Sequence, residues 1–346
     1  MIQHVLRPQN FDLEDMRRFF DNADKIEGML RSGTAGTLLA GHYAVNLFAA
    51  PSTRTRTSFR LAEIASGMHI LADETDVEHA TSWAKGESVP DMIKTYEGIV
   101  SVVADPSKLM IVIRHPKAGV AEEIADATHG SHVFNAGCGK SDGYHPTQAF
   151  QDARLCFAHG RSLGLVSLDT LGEQGLAGLN SSRKKFKVLA FGDLRNGRTI
   201  RSLAYLLAKC FPWVEFYFAS PPSLKMGQDI LDHLDEHSIP YHITVDPEEF
   251  VSWLRLVHLC YATRFQFEDL DFEDRRKFDE YQNQFLLDLP RVQTMRPDAF
   301  ILHPFPRNRE LSRTVDADPR ALYLREQIPS GPTSRLTLMT MVFGIM

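Results

Sequence analysis

The feature that most limits the fold of this chain is a repeated alternation. Short runs of consecutive apolar residues are followed by stretches in which apolar residues recur at helical spacing. Continuous apolar runs suit strands buried on both faces of a parallel sheet, and amphipathic stretches suit the helices that cover it. A helix start at 10–16, with Met16, Phe19 and Phe20 on one face, opens the chain. Strands are predicted at 43–48, 68–72, 108–113 and 133–135, with helices at 58–65, 91–100, 118–127 and 145–157. A second series places strands at 187–191, 214–219, 241–245, 256–261 and 299–302, and helices at 198–207 and 223–236. The polar stretches 73–90 and 158–186 read as long loops, the latter ending in Arg183-Lys184-Lys185. The prediction is an α/β chain of two doubly wound parallel-sheet domains. The expected bounds are 1–150, joined by a C-terminal helix at 333–346, and 151–332, with the boundary inside a helix.

With 346 residues and 43% hydrophobic content, the chain has enough apolar surface for two cores. Its formal net charge of -6 gives no basic face to a nucleic-acid partner. Cys138, Cys156, Cys210 and Cys260 are scattered, and they read as reduced thiols, neither a disulfide framework nor a zinc site. No His/Cys cluster with metal-ligand spacing is identified, and no metal or other cofactor is expected. No apolar run nears the ~20 residues of a membrane span. The first residues lack a charged region followed by an apolar run, so no signal peptide is expected, and the expected location is the cytoplasm.

In doubly wound sheets, ligands gather beyond the carboxyl ends of strands. Five predicted strand ends carry polar chemistry of one kind. Phe48 leads to Ser52-Thr53-Arg54-Thr55-Arg56-Thr57, four hydroxyls and two arginines in six residues. Ile113 leads to Arg114-His115-Pro116, and Asn135 leads through glycines to His145-Pro146-Thr147-Gln148. Phe191 leads to Gly192-Asp193-Leu194-Arg195-Asn196-Gly197-Arg198-Thr199, and Leu302 to His303-Pro304-Phe305-Pro306-Arg307. Helix N-terminal N–H groups, hydroxyls and Arg forks together suit a phosphate dianion. The first run is not a Walker loop, and 192–197 does not fit the dinucleotide pattern Gly-x-Gly-x-x-Gly. Each motif alone has an ordinary structural explanation: a capped helix, a satisfied histidine, a surface ion pair, a solvated Lys85-Gly86-Glu87-Ser88 loop. Five together imply a site for anionic and carbonyl groups.

These motifs, in this order, resemble the carbamoyltransferase family, nearest its aspartate branch. Ser52-Thr53-Arg54-Thr55-Arg56 is similar to the family's carbamoyl-phosphate motif. Lys85-Gly86-Glu87-Ser88, Arg114-His115-Pro116, Asn135-Ala136-Gly137, His145-Pro146-Thr147-Gln148, Gly192-Asp193-Leu194, Gly197-Arg198-Thr199, Thr263-Arg264-Phe265-Gln266 and His303-Pro304-Phe305-Pro306-Arg307 follow in family order. The resemblance spans about residues 40–340, and Pro304 favours the aspartate branch over the ornithine branch.

The resemblance implies roles. Ser52, Thr53, Arg54 and Thr55 would hold the phosphate. Thr55, Arg114 and His145 would grip the carbonyl oxygen of carbamoyl phosphate. Gln148 and the backbone carbonyls of Pro304 and Phe305 would hold its amino group. Lys85, with Thr81 or Ser82 beside it, would reach a neighbouring subunit's site. Arg198, Thr199, Arg264 and Gln266, with Lys85, would bind the acceptor's carboxylates. The resemblance also implies a homotrimer with shared sites, an active site in the cleft between the two domains, and room for a regulatory or pathway-enzyme partner. Three departures concern the acceptor half: Ala50 replaces the usual Glu, Phe267-Glu268-Asp269 replaces Lys-Glu-Arg, and Cys138 replaces Asp. Two acceptors therefore stay open, L-aspartate and an amine such as 2,3-diaminopropionate, whose cationic side chain would pair with Asp269. A non-catalytic homologue is the third reading, opposed by the retained Arg54, Arg114, His145 and Lys85.

Overall fold

The computed structural model describes residues 2–75, 77, 82–171, 185–211, 213–266 and 270–346. Thr81, Arg183, Lys184, Phe267, Glu268 and Asp269 lie outside the described residues. The chain divides into two compact units, Met1–Arg154 with Ser330–Met346, and Leu155–Pro329. The division falls inside one helix, Pro146–Ser162, at 154 where the sequence suggested 150, and the returning C-terminal helix begins at Ser330 where 333 was expected.

Unit 1 runs α1 (Leu13–Ser32), β1 (Tyr43–Phe48), α2 (Thr53–Ala65), β2 (His69–Thr75), α3 (Val89–Val100), β3 (Leu109–Arg114), α4 (Val120–Ala127), β4 (His132–Asn135) and the start of α5 (Pro146–Ser162). The strands form a parallel sheet in the order β2-β1-β3-β4. β1 and β3 are almost wholly buried, as continuous apolar runs between two helical layers should be. The core gathers Val45, Leu47, Ile111 and Ile113 from the sheet with Met92, Ile93 and Ile124 from the helices. On the other face the C-terminal helix Ser330–Val342 is buried around its whole circumference. Its Arg335 lies 5.8 Å over the Phe59 ring and donates a hydrogen bond to Gln151.

Two expected boundaries are corrected. The helix placed at 58–65 starts at Thr53, so the polar motif itself winds into the first turns of α2 after an extended Ser52. Polar threonines and arginines hide that start from an apolar-periodicity reading. The loop placed at 73–90 is partly ordered: β2 continues to Thr75, a 3-10 turn spans Ser82–Lys85, and α3 begins at Val89. Pro90 suits the first turn of α3, where its missing N–H has no helical partner to lose, and Ser88 caps the end by accepting from Asp91 N–H.

Unit 2 runs from the end of α5 through β5 (Phe186–Gly192), α6 (Arg198–Cys210), β6 (Val214–Ala219), α7 (Gln228–Glu236), β7 (Tyr241–Thr244), α8 (Pro247–Trp253), β8 (Leu259–Thr263) and β9 (Phe300–Leu302). Its parallel sheet has the order β7-β6-β5-β8-β9. Between β8 and β9 lie short helices at Phe272–Arg276, Phe278–Gln284 and Leu289–Gln293, which the sequence reading did not assign. The core joins Leu189 and Phe191 to Phe250, Trp253, Phe285, Ile301 and Tyr323.

Both sheets are doubly wound. In unit 1 the strand order reverses between β1 and β3, and in unit 2 between β5 and β8. A reversal leaves the two following connections to diverge, which opens a crevice at the carboxyl ends of the flanking strands. The loops at those crevices are 49–52 and 115–119 in one unit, and 193–197 and 264–266 in the other. Among the described residues no helix is long and apolar enough to cross a membrane.

Candidate active site

In unit 1 the strand register sets the site. Phe48 on β1 stands opposite Arg114 on β3, and Ile113 opposite Asn135 on β4. The N–H groups of Ala49 and Ala50 both donate to the Arg114 carbonyl, at 2.9 and 3.3 Å, so the chain leaving β1 is tied to the end of β3. Ser52 then enters α2, with Thr53 exposed, Arg54 half-buried and Thr55 buried. Burial lowers the Arg54 guanidinium pKa from its ordinary value. Arg56 turns elsewhere. Its guanidinium takes both oxygens of Asp73 on β2, at 2.8 and 2.7 Å, and Arg60 reaches the same carboxylate at 3.0 Å. Of the two arginines in the motif, Arg56 therefore ties α2 to β2.

Arg114 donates from Nη1 to the Ala136 carbonyl at 3.1 Å. Asn135 shapes the turn beyond β4: its Oδ1 accepts from Gly137 N–H and Cys138 N–H at 2.9 and 2.8 Å. Gly137 has φ +106°, and a Cβ there would lie 2.8 Å from Arg114 Nη1 and 2.9 Å from His145 Cδ2. Glycine at this point lets the guanidinium and the imidazole approach one another closely. His145 immediately precedes α5, and its carbonyl accepts from Gln148 N–H and Ala149 N–H. Its buried ring has Thr55 Oγ1 at 3.5 Å from Nε2 and Thr147 Oγ1 at 3.4 Å from Nδ1. Gln148 donates from Nε2 to buried Asp152 at 2.8 Å, one helical turn on, which leaves its amide oxygen directed by that bond. The structure thus brings Thr55, Arg114 and His145 together.

Lys85 is exposed at the end of its 3-10 turn. Nearby, Trp83 stacks on the His115 ring, with centroids 5.5 Å apart and planes 15° from parallel. The position of Thr81 is outside the described residues, and Ser82 is exposed.

In unit 2 the crevice between β5 and β8 holds the second set. Gly192 has φ +103°, and a Cβ there would lie 2.2 Å from the Thr263 carbonyl oxygen, so glycine allows the two strand ends to close up. Buried Asp193 organises the turn before α6 by accepting from Asn196 N–H at 3.0 Å and Asn196 Nδ2 at 3.1 Å. Gln266 donates to the Asn196 carbonyl at 3.1 Å, and Arg264 Nη2 lies 3.5 Å from Gln266 Oε1. Arg198 and Thr199 begin α6, both half-buried.

Beyond β9, His303 Nδ1 accepts from Phe305 N–H at 2.8 Å. That bond places the ring proton on Nε2, which donates to Glu310 at 2.9 Å, both side chains fully buried. Phe305 has φ +53° and precedes a cis proline, Pro306. The histidine thereby holds the 304–305 turn, while Arg307 forms a bidentate pair with Asp316.

Comparison with known proteins now bears on these two sets. Residues 3–156 match the family model for the aspartate/ornithine carbamoyltransferase carbamoyl-phosphate-binding domain, and 184–341 match its Asp/Orn-binding domain. The chain belongs to the aspartate/ornithine carbamoyltransferase family. It is 35% identical over 341 residues to aspartate carbamoyltransferase, chloroplastic, of Arabidopsis thaliana, covering 99% of this chain and 78% of that one. It is 31% identical to the aspartate carbamoyltransferase catalytic subunit of Clostridium novyi, covering 99% and 98%. Aspartate transcarbamoylase of Trypanosoma cruzi, solved with carbamoyl phosphate and aspartate, superposes with a TM-score of 0.79 at 26% identity, covering 97% of this chain and 95% of that one. The family's Asp/Orn-binding model extends into the C-terminal helix, which in this structure packs within unit 1.

Sequence reasoning missed several supporting groups. Asp152 sits four residues after Gln148 on one helix face, a spacing that could have flagged the pair. The crowding around Gly137 and the stack on His115 are tertiary and leave no local signal. The sequence reading also identified no histidine cluster with ligand spacing, and that is corrected. His233 and His237, one turn apart, stand with Glu236 in a group whose ligand atoms lie within 4.8 Å of one another.

Proposed function

We propose that this carbamoyltransferase moves the carbamoyl group of carbamoyl phosphate onto the amino group of L-aspartate, giving N-carbamoyl-L-aspartate and phosphate. The observation that carries the reading is the convergence of Thr55, Arg114 and His145 around Gly137, beside the hydroxyl- and Arg-bearing start of α2. Ser52, Thr53 and Arg54 at that start suit the phosphate. Gln148, with its amide fixed by Asp152, and the turn carbonyls of Pro304 and Phe305 suit the carbamoyl nitrogen. Arg198, Thr199, Arg264 and Gln266 suit the two carboxylates of the acceptor. The relatives' names favour aspartate over 2,3-diaminopropionate, whose one support, Asp269, lies outside the described residues.

A neutral amine attacks the carbamoyl carbon. The new C–N bond forms, negative charge builds on the carbonyl oxygen, and the C–O bond to phosphate then breaks. Arg114, His145 and Thr55 are donors for that developing charge, and the departing phosphate takes the amine's proton. Positioning two anions side by side opposes their repulsion, which is why arginines dominate, and orientation alone contributes about 7–11 kcal/mol in such reactions.

The same reading makes the chain a homotrimer in which Lys85 serves a neighbouring site. It places the product in pyrimidine synthesis and the protein in the cytoplasm. Exposure of Lys85 supports the first, and four buried free cysteines suit a reducing compartment. The test is carbamoylation of L-aspartate by wild type and Arg114→Ala. Turnover in the wild type, with kcat lowered about 10²–10³-fold in the variant, is the expected result. Turnover of a diamine but not of aspartate would overturn the acceptor assignment.

A further inference from the structure

The crevices do not use the last turn of α7, where His233-Leu234-Asp235-Glu236-His237 places two imidazoles and a carboxylate on one side of the helix end. We propose that His233, Glu236 and His237 bind one borderline divalent transition-metal ion of the Zn2+, Co2+ or Ni2+ kind.

The geometry is that of a chelate. Residues i and i+4 on a helix face the same way, and the His233 and His237 ring centroids are 4.2 Å apart. One ligand atom from each of the three side chains lies within 4.8 Å of the others. Donors on a tetrahedral ion sit ~3.3 Å apart, given metal–nitrogen bonds of ~2.0 Å, so modest side-chain rotation closes the set.

Each ring already has the outer contact that metal-bound histidines use. His237 Nδ1 lies 2.9 Å from the His233 carbonyl oxygen, so it carries the proton and leaves Nε2 as the lone-pair nitrogen. The Tyr205 carbonyl hydrogen-bonds the His233 ring, and the Nε2 of that ring is buried with no hydrogen-bond partner. A buried acceptor nitrogen without a donor is costly, and a cation would satisfy it.

The helix end adds a favourable field. The last carbonyls of α7 carry the negative pole of its dipole, and Glu236 supplies a full negative charge. Lys209 on α6 opposes, as a positive charge acting on the His233 ring. Two imidazoles and one carboxylate favour zinc, cobalt or nickel over magnesium or calcium, which prefer all-oxygen shells. Water completes the coordination.

The experiment uses the full-length protein, stripped with a chelator and titrated calorimetrically with Zn2+ alone, then with Co2+ followed by its absorption bands. One equivalent is expected to bind. His237→Gln and His233→Gln should each weaken binding at least ~10-fold, with a smaller loss in Glu236→Gln. Zn2+ at a concentration that just saturates the wild type should raise its melting temperature clearly more than that of His237→Gln. Millimolar Mg2+ should not compete. His237 and Glu236 lie at the helix end and outside the core, so their variants decide the matter if His233→Gln fails to fold. No saturable binding by the wild type, or equal affinity in wild type and His237→Gln, would overturn the proposal.

Discussion

Gly137 decides how closely Arg114 and His145 approach, and a single methyl group tests that. In Gly137→Ala the added carbon would meet Arg114 Nη1 at 2.8 Å and His145 Cδ2 at 2.9 Å, at a φ of +106° that L residues rarely adopt. Both donors would be pushed from a common oxygen. Steady-state kinetics are expected to show kcat falling about 10²-fold or more, as for the loss of one donor, with a lower melting temperature from backbone strain. A variant with normal kcat would show that the two side chains do not act together. Arg54 and Arg56 make the contrasting pair. Both belong to one legible motif, yet Arg56 is engaged with Asp73 while Arg54 lies at the helix start. Arg54→Ala should raise the KM for carbamoyl phosphate, whereas Arg56→Ala should leave that KM within a few fold and lower the melting temperature, as measured by kinetics and calorimetry. The types of residue at these positions were readable from the motif. Which arginine turned toward β2 was not, because Asp73 comes close only through the pairing of β1 with β2.

The contact between β1 and α2 carries its own titration. Glu63 on α2 is fully buried and accepts from Asn46 Nδ2 on β1 at 2.9 Å. Burial, aided by Asp73, raises its pKa to about 7 against the lowering effects of the Asn46 hydrogen bond and Arg60. Its folded pKa exceeds the unfolded value of 4.5, so the folded state binds the proton more tightly. The stability from this group is present below that value and is lost as pH rises through 7. The difference amounts to roughly 3 kcal/mol. Calorimetry at pH 5 and pH 8 should therefore show Glu63→Gln gaining on the wild type as pH rises. A constant gap would rule out the linkage. The strands were legible because fully buried parallel strands are unbroken apolar runs, and β1 and β6 have the expected bounds. The start of α2 was not, since its first turn is made of threonines and arginines whose helicity serves a site. The short helices between β8 and β9 lack a long periodic stretch to read, and at α7 a four-residue histidine spacing is too common on helices to signal a ligand set by itself.

For the whole molecule, doubly wound topology explains why polar motifs sit at strand ends far apart in sequence. Each sheet reverses its strand order once, and one polar set lies at each reversal: Thr55 at the start of α2 with Arg114 at the end of β3 in one unit, and Asn196 with Arg264 in the loops of the other. Lys85 belongs to neither reversal and is exposed, which is the expected position for a residue that completes a site on another copy of the chain. The proposed sharing of the site between subunits has a quantitative consequence. His145→Ala and Lys85→Ala would each be nearly inactive alone. If every site takes His145 from one subunit and Lys85 from its neighbour, dissociating and reassembling an equal mixture would regenerate intact sites by random assortment. Roughly a quarter of wild-type activity should return in the mixture, since each of two independent choices succeeds half the time. If both residues come from the same chain, every site in the mixture retains one defect and no activity returns. Recovery measured against wild type dissociated and reassembled in the same way therefore separates a shared site from a self-contained one.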